Sequence, residues 1–393
     1  MDRPLGFGIF MAPFHPTGQD PTWALERDLQ LIEWLDQLGY DEAWIGEHHS
    51  AGYEIIASPE VFIATAAART RRIRLGTGVS SLPYHQPLIL ADRMVLLDHL
   101  TRGRVMLGAG PGALPSDAYM MGVDVSRQRD MMHEALDAIC RLVRTDEPVT
   151  MKTDWFELRD ARLQLRPYKG SPMEIAVAAQ VSPAGPRAAG RYGCSLLSLG
   201  ATQREGFDML GLHWNVLEEV AAENGHTPDR ATWRLVGPMH VAETRDQAFR
   251  DVEVGLPKWI HYFRHVAALP LAPEADDTKT LVEAMNESGL AVIGTPEDAV
   301  AQISRLAEQS GGFGTYLFMA HDWADREATR RSYELVAEQV FPAFQGSTES
   351  LHRSMDWAAE NRDTFIGAAG AAVMTAIQQH QEERERRAEP TDT

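Results

Sequence analysis

Cysteine is nearly absent: the 393-residue chain has two, Cys140 and Cys194. Their spacing matches no metal or disulfide framework, which excludes a stapled secreted scaffold and suits a reducing cytoplasm. Positive charge is also scarce, with 37 Lys and Arg against 56 Asp and Glu and a net charge of −19. Such a balance argues against nucleic acid or an anionic membrane as partner, while still allowing a local basic pocket for an anionic cofactor. Long hydrophobic runs are missing too. The longest small apolar tract, 367–377, is too short to cross a bilayer. The opening MDRPLGFGIF has an acid beside its arginine and only a brief apolar stretch, so it reads as a poor signal peptide. What remains is a soluble globular composition, 44% hydrophobic and 24% charged, able to bury one large core or two ordinary ones.

Along the chain, short β-rich runs alternate with longer stretches of helical periodicity, the rhythm of α/β units on a parallel sheet. Strands are expected at 5–11, 42–46, 73–79, 104–108, 174–179, 195–199, 234–241 and 315–319. Helices are expected at 22–38, 59–69, 87–100, 127–143, 183–192, 205–224, 245–265, 296–309 and 326–341. Eight such strands, each followed by a helix, fit a closed (β/α)8 TIM barrel over residues 1–346, with an open doubly wound sheet as the alternative. Three insertions interrupt the rhythm. Residues 110–125 are rich in proline and glycine. Residues 148–172 alternate like a hairpin. Residues 267–290 are acidic and lack clear periodicity, which reads as a lid over a site or as a disordered connector. Residues 347–393 form a helical extension ending in a solvated, disordered acidic and basic tail.

The chemistry gathers where strands end, since barrel sites sit at strand C-termini. The second strand runs into AWIGEHHS at 43–50. Trp44, Gly46 and His48 share one parity, so His48 is the histidine expected to face the mouth. Barrel metal sites place histidines two apart on one strand face; the adjacent His48 and His49 do not, so no metal is expected. His49 is expected to be structural, bonded to Glu47 or backbone. His85 and His99 read as a loop and a helix-surface residue.

The third strand continues into GTGVSSLPYHQP, whose glycines allow close approach of a flat ligand, strained geometry, or simply a softened strand end. The fourth ends in LGAGPGALPSD. A dinucleotide motif should open a helix, and Pro111 and Pro115 argue against that. The fifth runs into AAQVSPAGP, where Ser182 and Pro183 read as a helix N-cap and first-turn pair, an ordinary cap or a phosphate site. Met120, Met121, Met131 and Met132 are either cavity lining or core.

Taken in order, GFGIFMAPF, GYDEAWIGEHH, IRLGTGVSSLPYHQP, LDHLTRGRVMLGAGPG, AAQVSPAG and IGTPEDAVAQI resemble the bacterial luciferase-like flavin-dependent monooxygenases, in particular the limonene 1,2-monooxygenase type. The resemblance runs from Phe7 to about Phe344. It implies a (β/α)8 barrel that uses reduced FMN or FAD and O2, through a flavin C4a-hydroperoxide, to oxygenate a small apolar organic substrate, with epoxidation of a cyclic monoterpene such as limonene as the example. By resemblance, His48 is catalytic, with a near-neutral pKa suited to protonating the peroxide. Gly78 and Val79 form a peptide, often cis in the family, against the isoalloxazine ring. Gly110, Pro111 and Gly112 form another flavin-contacting loop, and Ala179, Gln180, Val181 and Ser182 hold the phosphate. The luciferases have cysteine at Gly110 and a phosphate-contacting arginine at Pro111, so Arg187 or Arg191 is the expected substitute. The absence of a nicotinamide motif implies a separate NADH-dependent flavin reductase. A homodimer is expected near the small-residue helix at 63–68. The rival readings are a deazaflavin (F420)-dependent oxidoreductase on the same barrel and a non-catalytic flavin-binding protein.

Overall fold

The computed structural model describes residues 3–12, 14–200, 202, 209–267, 275 and 277–388. Apolar runs bounded by Gly, Pro and polar residues become eight parallel strands, because strands covered on both faces need apolar side chains on both. They are β1 (Gly6–Met11), β2 (Glu42–Ile45), β3 (Arg74–Thr77), β4 (Val105–Gly110), β5 (Ile175–Ala179), β6 (Ser195–Leu199), β7 (Arg234–Gly237) and β8 (Thr315–Met319). Each pairs in parallel with its sequence neighbours, and β8 pairs back onto β1 with Gly6 opposite Thr315. The sheet therefore closes into a barrel, and the open-sheet alternative falls.

Side chains alternate across the wall. Phe10, Trp44, Met106, Ala176, Leu197, Val236 and Leu317 fill the interior. Phe7, Ile9, Ala43, Ile45 and Leu75 face out under the helices in the main core. Local signals start and stop those helices. Asp20 caps helix Pro21–Leu38 by accepting from the Trp23 N–H at 3.0 Å, and Gly39 ends it in the left-handed conformation.

The N-terminal end of the barrel is sealed by charge. Arg234, 2% exposed, donates to both carboxylate oxygens of Glu42 at 3.0 and 2.7 Å and also to Glu174. Arg74 bridges the same two acids at 3.3 and 2.7 Å, and the Trp44 indole N–H donates to Glu42 at 2.9 Å. Burial pushes the Glu174 carboxyl up, but the Arg234 and Arg74 charges outweigh it and hold the group at about 2.

Several expected elements change on folding. The seventh strand stops at Gly237, because Pro238 has no N–H for the ladder. Met239–Val241 pairs instead with Val292–Gly294. The long helix expected at 245–265 divides into Arg245–Val252 and Leu256–His265. At Gly255 a Cβ would stand 2.2 Å from the Trp323 carbonyl oxygen. The helix expected at 205–224 is seen as Met209–Glu223, with 205–208 outside the described residues. Within 148–172 the hairpin forms, pairing Val149–Lys152 antiparallel to Glu157–Ala161. Within 267–290 the expected irregular segment contains helix Thr278–Ser288, capped by Asp277; residues 268–274 and 276 lie outside the described residues. Cys140 and Cys194, unrelated by spacing, meet with their sulfurs 3.9 Å apart, both as free thiols.

The chain divides into two units, Met1–Phe344 and Gln345–Thr393. The second consists of helices Glu349–Glu360 and Arg362–Ala388, with the Trp357 and Phe365 rings 5.2 Å apart. The tail expected to be disordered is helical through Ala388, where its alternating Glu and Arg suit i,i+4 pairing such as Glu382 with Arg386. Residues 389–393 lie outside the described residues. Among the described residues, no helix is long and apolar enough to cross a membrane.

Candidate active site

Trp44 lies inside the barrel, and His48 follows three residues beyond the end of β2 at Ile45. The imidazole is clamped between two acids. Its Nδ1 lies 3.2 Å from Asp117 Oδ2, and its Nε2 lies 3.2 Å from Glu54 Oε2. Asp117 also accepts from the His49 N–H at 3.1 Å and the Ser50 hydroxyl at 2.5 Å. Glu54 accepts from the Tyr262 hydroxyl at 2.9 Å. Burial alone would lower the His48 pKa; the Glu54 charge and the Asp117 hydrogen bond overcome it and raise it to about 10. The near-neutral value expected of His48 gives way to a raised one, because two buried carboxylates face the ring.

The adjacent imidazoles diverge. His49 donates from Nε2 to Glu47 Oε1 at 2.9 Å, the structural bond expected of it. His85, read from sequence as a plain loop residue, meets the same carboxylate at 2.9 Å, and the Ser81 N–H donates to it at 2.8 Å. Burial works to raise the Glu47 carboxyl, yet the bonds from His49 and His85 hold it below the usual range. Glu47 thus ties the end of β2 to the segment after β3. His99 is exposed on its helix as expected.

The Gly78–Val79 peptide is cis. The two glycines of GTG serve different neighbours. A Cβ at Gly76 would stand 2.6 Å from the Trp44 indole, so this glycine makes room for a core side chain rather than a ligand. Val79 is half-buried at the top of the interior cluster. A Cβ at Gly110 would approach Val79 Cγ2 to 2.5 Å, so Val79 occupies the space where the luciferase pattern has cysteine. The Gln128 amide fastens the following loop, donating to the Pro111 carbonyl at 3.0 Å and to the Tyr84 hydroxyl at 2.9 Å. Gly112, with φ +91°, turns the chain there. Pro115 then opens the short helix Pro115–Met120, which delivers Asp117 to His48. The loop after β4 and the end of β2 are therefore one assembly.

Ala179 ends β5 and is buried, while Gln180, Val181 and Ser182 are exposed. Ser182 is not the helix cap. Helix Ala184–Tyr192 starts one residue later, with Pro183 at the capping position and no side-chain cap bond. Pro186, at the third helical position, lacks the N–H that a capping side chain would satisfy. Arg187 is exposed in the early part of this helix and makes no ion pair among the described residues. Arg191 lies at the far end, its guanidinium 5.5 Å from the Tyr192 ring centre.

An apolar roof adjoins these loops. Phe14 after β1, Leu114 after β4 and Trp323 after β8 form one buried cluster with Trp259, Tyr262 and Met285 of the segment before β8. The described part of the insertion at 267–290 belongs to this roof. Met120 and Met121 are exposed on the loop after β4, whereas Met131 and Met132 are core. A separate cavity of about 870 Å³ between helices Pro21–Leu38 and Arg326–Leu335 touches none of the expected site residues.

The residues that sequence reasoning missed are Asp117, Glu54, Tyr262 and His85. Asp117 stood inside the quoted LGAGPGALPSD, but no periodicity links it to a residue 69 positions earlier.

The family model of luciferase-like monooxygenases matches residues 5–312, and the chain belongs to that family. Several of its relatives are named enzymes. The chain is 53% identical over 340 residues to limonene 1,2-monooxygenase of Rhodococcus erythropolis, covering 86% of this chain and 87% of that protein. It is 49% identical over 375 residues to 4-hydroxyprotoasukamycin monooxygenase of Streptomyces nodosus subsp. asukaensis, covering 94% and 100%. Among solved structures, the oxygenating constituent of 3,6-diketocamphane monooxygenase of Pseudomonas putida, a type II Baeyer–Villiger monooxygenase in complex with FMN, matches with a TM-score of 0.73. That match is at 27% identity and covers 86% of this chain and 98% of that one.

Proposed function

We propose that this monooxygenase uses reduced FMN and O2 to oxygenate a small apolar organic substrate, with epoxidation of a cyclic monoterpene such as limonene as the specific reaction. The observation that carries the reading is His48, held between Asp117 and Glu54, in one assembly with Val79 and the loop 110–112 at the C-terminal end of the barrel. The residues fit a flavin. Val79 offers a half-buried apolar surface, and an uncapped helix start behind exposed residues 180–182 leaves N–H groups for a phosphate. The FMN complex of the structural relative favours FMN over FAD.

Bound reduced flavin supplies the activation of O2. The protein does the rest. Ala179, Gln180, Val181 and Ser182 hold the phosphate end, and Gly78 and Val79 back the ring. The fixed imidazolium of His48 stabilises negative charge as it develops on oxygen, while the apolar roof keeps water from diverting the reaction. A separate NADH-dependent reductase in the cytoplasm supplies the reduced flavin. Reduced FMN, O2 and limonene together test the reading: substrate-dependent O2 uptake with epoxide formation is expected. Selective binding of deazaflavin, or flavin that never turns over, would replace it with a rival.

Arg187 supplies the missing phosphate cation, since Arg191 sits at the wrong end of its helix. Arg187→Ala is expected to weaken FMN binding about tenfold, read by flavin fluorescence quenching. Unchanged affinity would remove the assignment.

The chain forms a homodimer through helices Pro59–Arg69 and Pro87–Thr101, which pack side by side. Val61, Leu96 and Leu100 project outward from them at 65%, 50% and 64% exposure, beside the small Ala64 and Ala68. An apolar patch of this kind marks an association surface. Light scattering should give twice the chain mass for the native protein and the chain mass for a Leu96→Glu, Leu100→Glu variant. A native monomer would reject the dimer.

A further inference from the structure

We propose that Glu54 is a positioning residue, tethered by Tyr262, that faces His48 from the side opposite Asp117 and holds the ring between two carboxylates. His48 then works as a fixed positive charge of set orientation and not as a proton shuttle.

The two carboxylates differ in what else they do. Asp117 has the His49 N–H and the Ser50 hydroxyl as further donors, so it stays partnered without the imidazole. Glu54 is 6% exposed and forms no ion pair with Lys or Arg among the described residues; His48 is its counter-charge. A buried carboxylate without a partner of opposite charge is costly, and the imidazole of His48 is the partner that Glu54 faces. The other oxygen of Glu54 accepts from the Tyr262 hydroxyl, which anchors the carboxylate beside the imidazole.

Tyr262 is itself immobilised. It is fully buried, and its ring lies 5.5 Å from Phe14 and 4.7 Å from Tyr53, centre to centre. It belongs to helix Leu256–His265 of the apolar roof. Contact therefore runs from the roof through Tyr262 and Glu54 to the imidazole. The titratable groups facing His48 are Glu54 and Asp117, both of which raise its pKa. Removing the Glu54 charge leaves burial opposed by Asp117 alone.

The inference rests on the oxygenation reading only for its catalytic consequence, so the first test uses flavin-free protein. Histidine is labelled with ¹⁵N, and the His48 signal is assigned by its loss in His48→Gln. Native His48 should stay protonated to about pH 9, while Glu54→Gln should bring its midpoint down by about two pH units, a hundredfold loss of proton affinity. Tyr262→Phe, which keeps the charge but frees the carboxylate, should give a smaller downward shift. If Glu54→Gln does not fold, Glu54→Asp, which withdraws the charge by one carbon, should also lower the midpoint. A native-like titration in the folded Glu54 variant overturns the proposal.

The second measurement is product formed per O2 consumed in the FMN-loaded enzyme. Glu54→Gln should lose coupling as pH rises through the new midpoint, with FMN affinity unchanged, while the native enzyme stays level. A shifted titration with native coupling at every pH supports the clamp and refutes the role of His48 in oxygen chemistry, so the two readings fail separately.

Discussion

Replacing His48 with alanine is expected to leave flavin bound and to send most of the consumed oxygen to hydrogen peroxide. The expected fall in product formation is about 10² to 10³-fold, the usual cost of removing a fixed group that stabilises developing charge in a site closed to water. Flavin binding survives because the segments assigned to it, residues 78–79, 110–112 and 179–182, have anchors of their own. The loop 110–112, for example, is fastened by Gln128. The variant also leaves Glu54 buried with only Tyr262 as partner, so its melting temperature should fall as well. His48→Gln, which keeps a hydrogen-bonding side chain without the charge, separates the two effects: stability should recover more than coupling. The measurement is simultaneous O2 uptake, peroxide and product with a saturating supply of reduced FMN. Coupling equal to that of the native enzyme would remove His48 from the mechanism.

The second large effect lies at the other end of the barrel. Arg234→Met keeps much of the side-chain bulk but leaves Glu42 and Glu174 facing each other with only Arg74 between them. The expected loss is about 3–5 kcal/mol of folding free energy, read from denaturant midpoints. Acid sensitivity should follow the same network. The Glu174 carboxyl is held at about 2, below its ordinary 4.5. Its contribution is thus fully present above pH 4.5 and lost as pH falls through about 2. In the variant that protection is reduced, and acid unfolding should begin at higher pH. An unchanged acid transition would mean that Glu174 owes its ionisation to Arg74 rather than to Arg234.

Much of the barrel was legible in the sequence because its signals are local. Apolar runs such as LGFGIFM and EIAVAA, bounded by glycine or proline, predict buried parallel strands without knowledge of their partners. Parity from Trp44 to His48 likewise needs only a strand and its direction. The rest depends on contacts that no local signal encodes. Tyr262 reaches Glu54 across 208 positions, and Asp117 reaches His48 across 69, because closing the sheet gathers loops from distant parts of the chain. The protonation state of His48 could not be read for the same reason, being set by both of those acids. Smaller departures came from backbone chemistry: Pro238 cut a strand short, and the prolines at 183 and 186 displaced a cap assigned to Ser182.

The packed interior above the ionic floor of Arg234, Glu42, Glu174 and Arg74 also bears on traffic. With the interior filled by Phe10, Trp44, Met106, Ala176, Leu197, Val236 and Leu317, nothing passes along the barrel axis. On the proposed reading, flavin, substrate and product therefore share the loops at the Val79 end, and product should inhibit competitively against substrate.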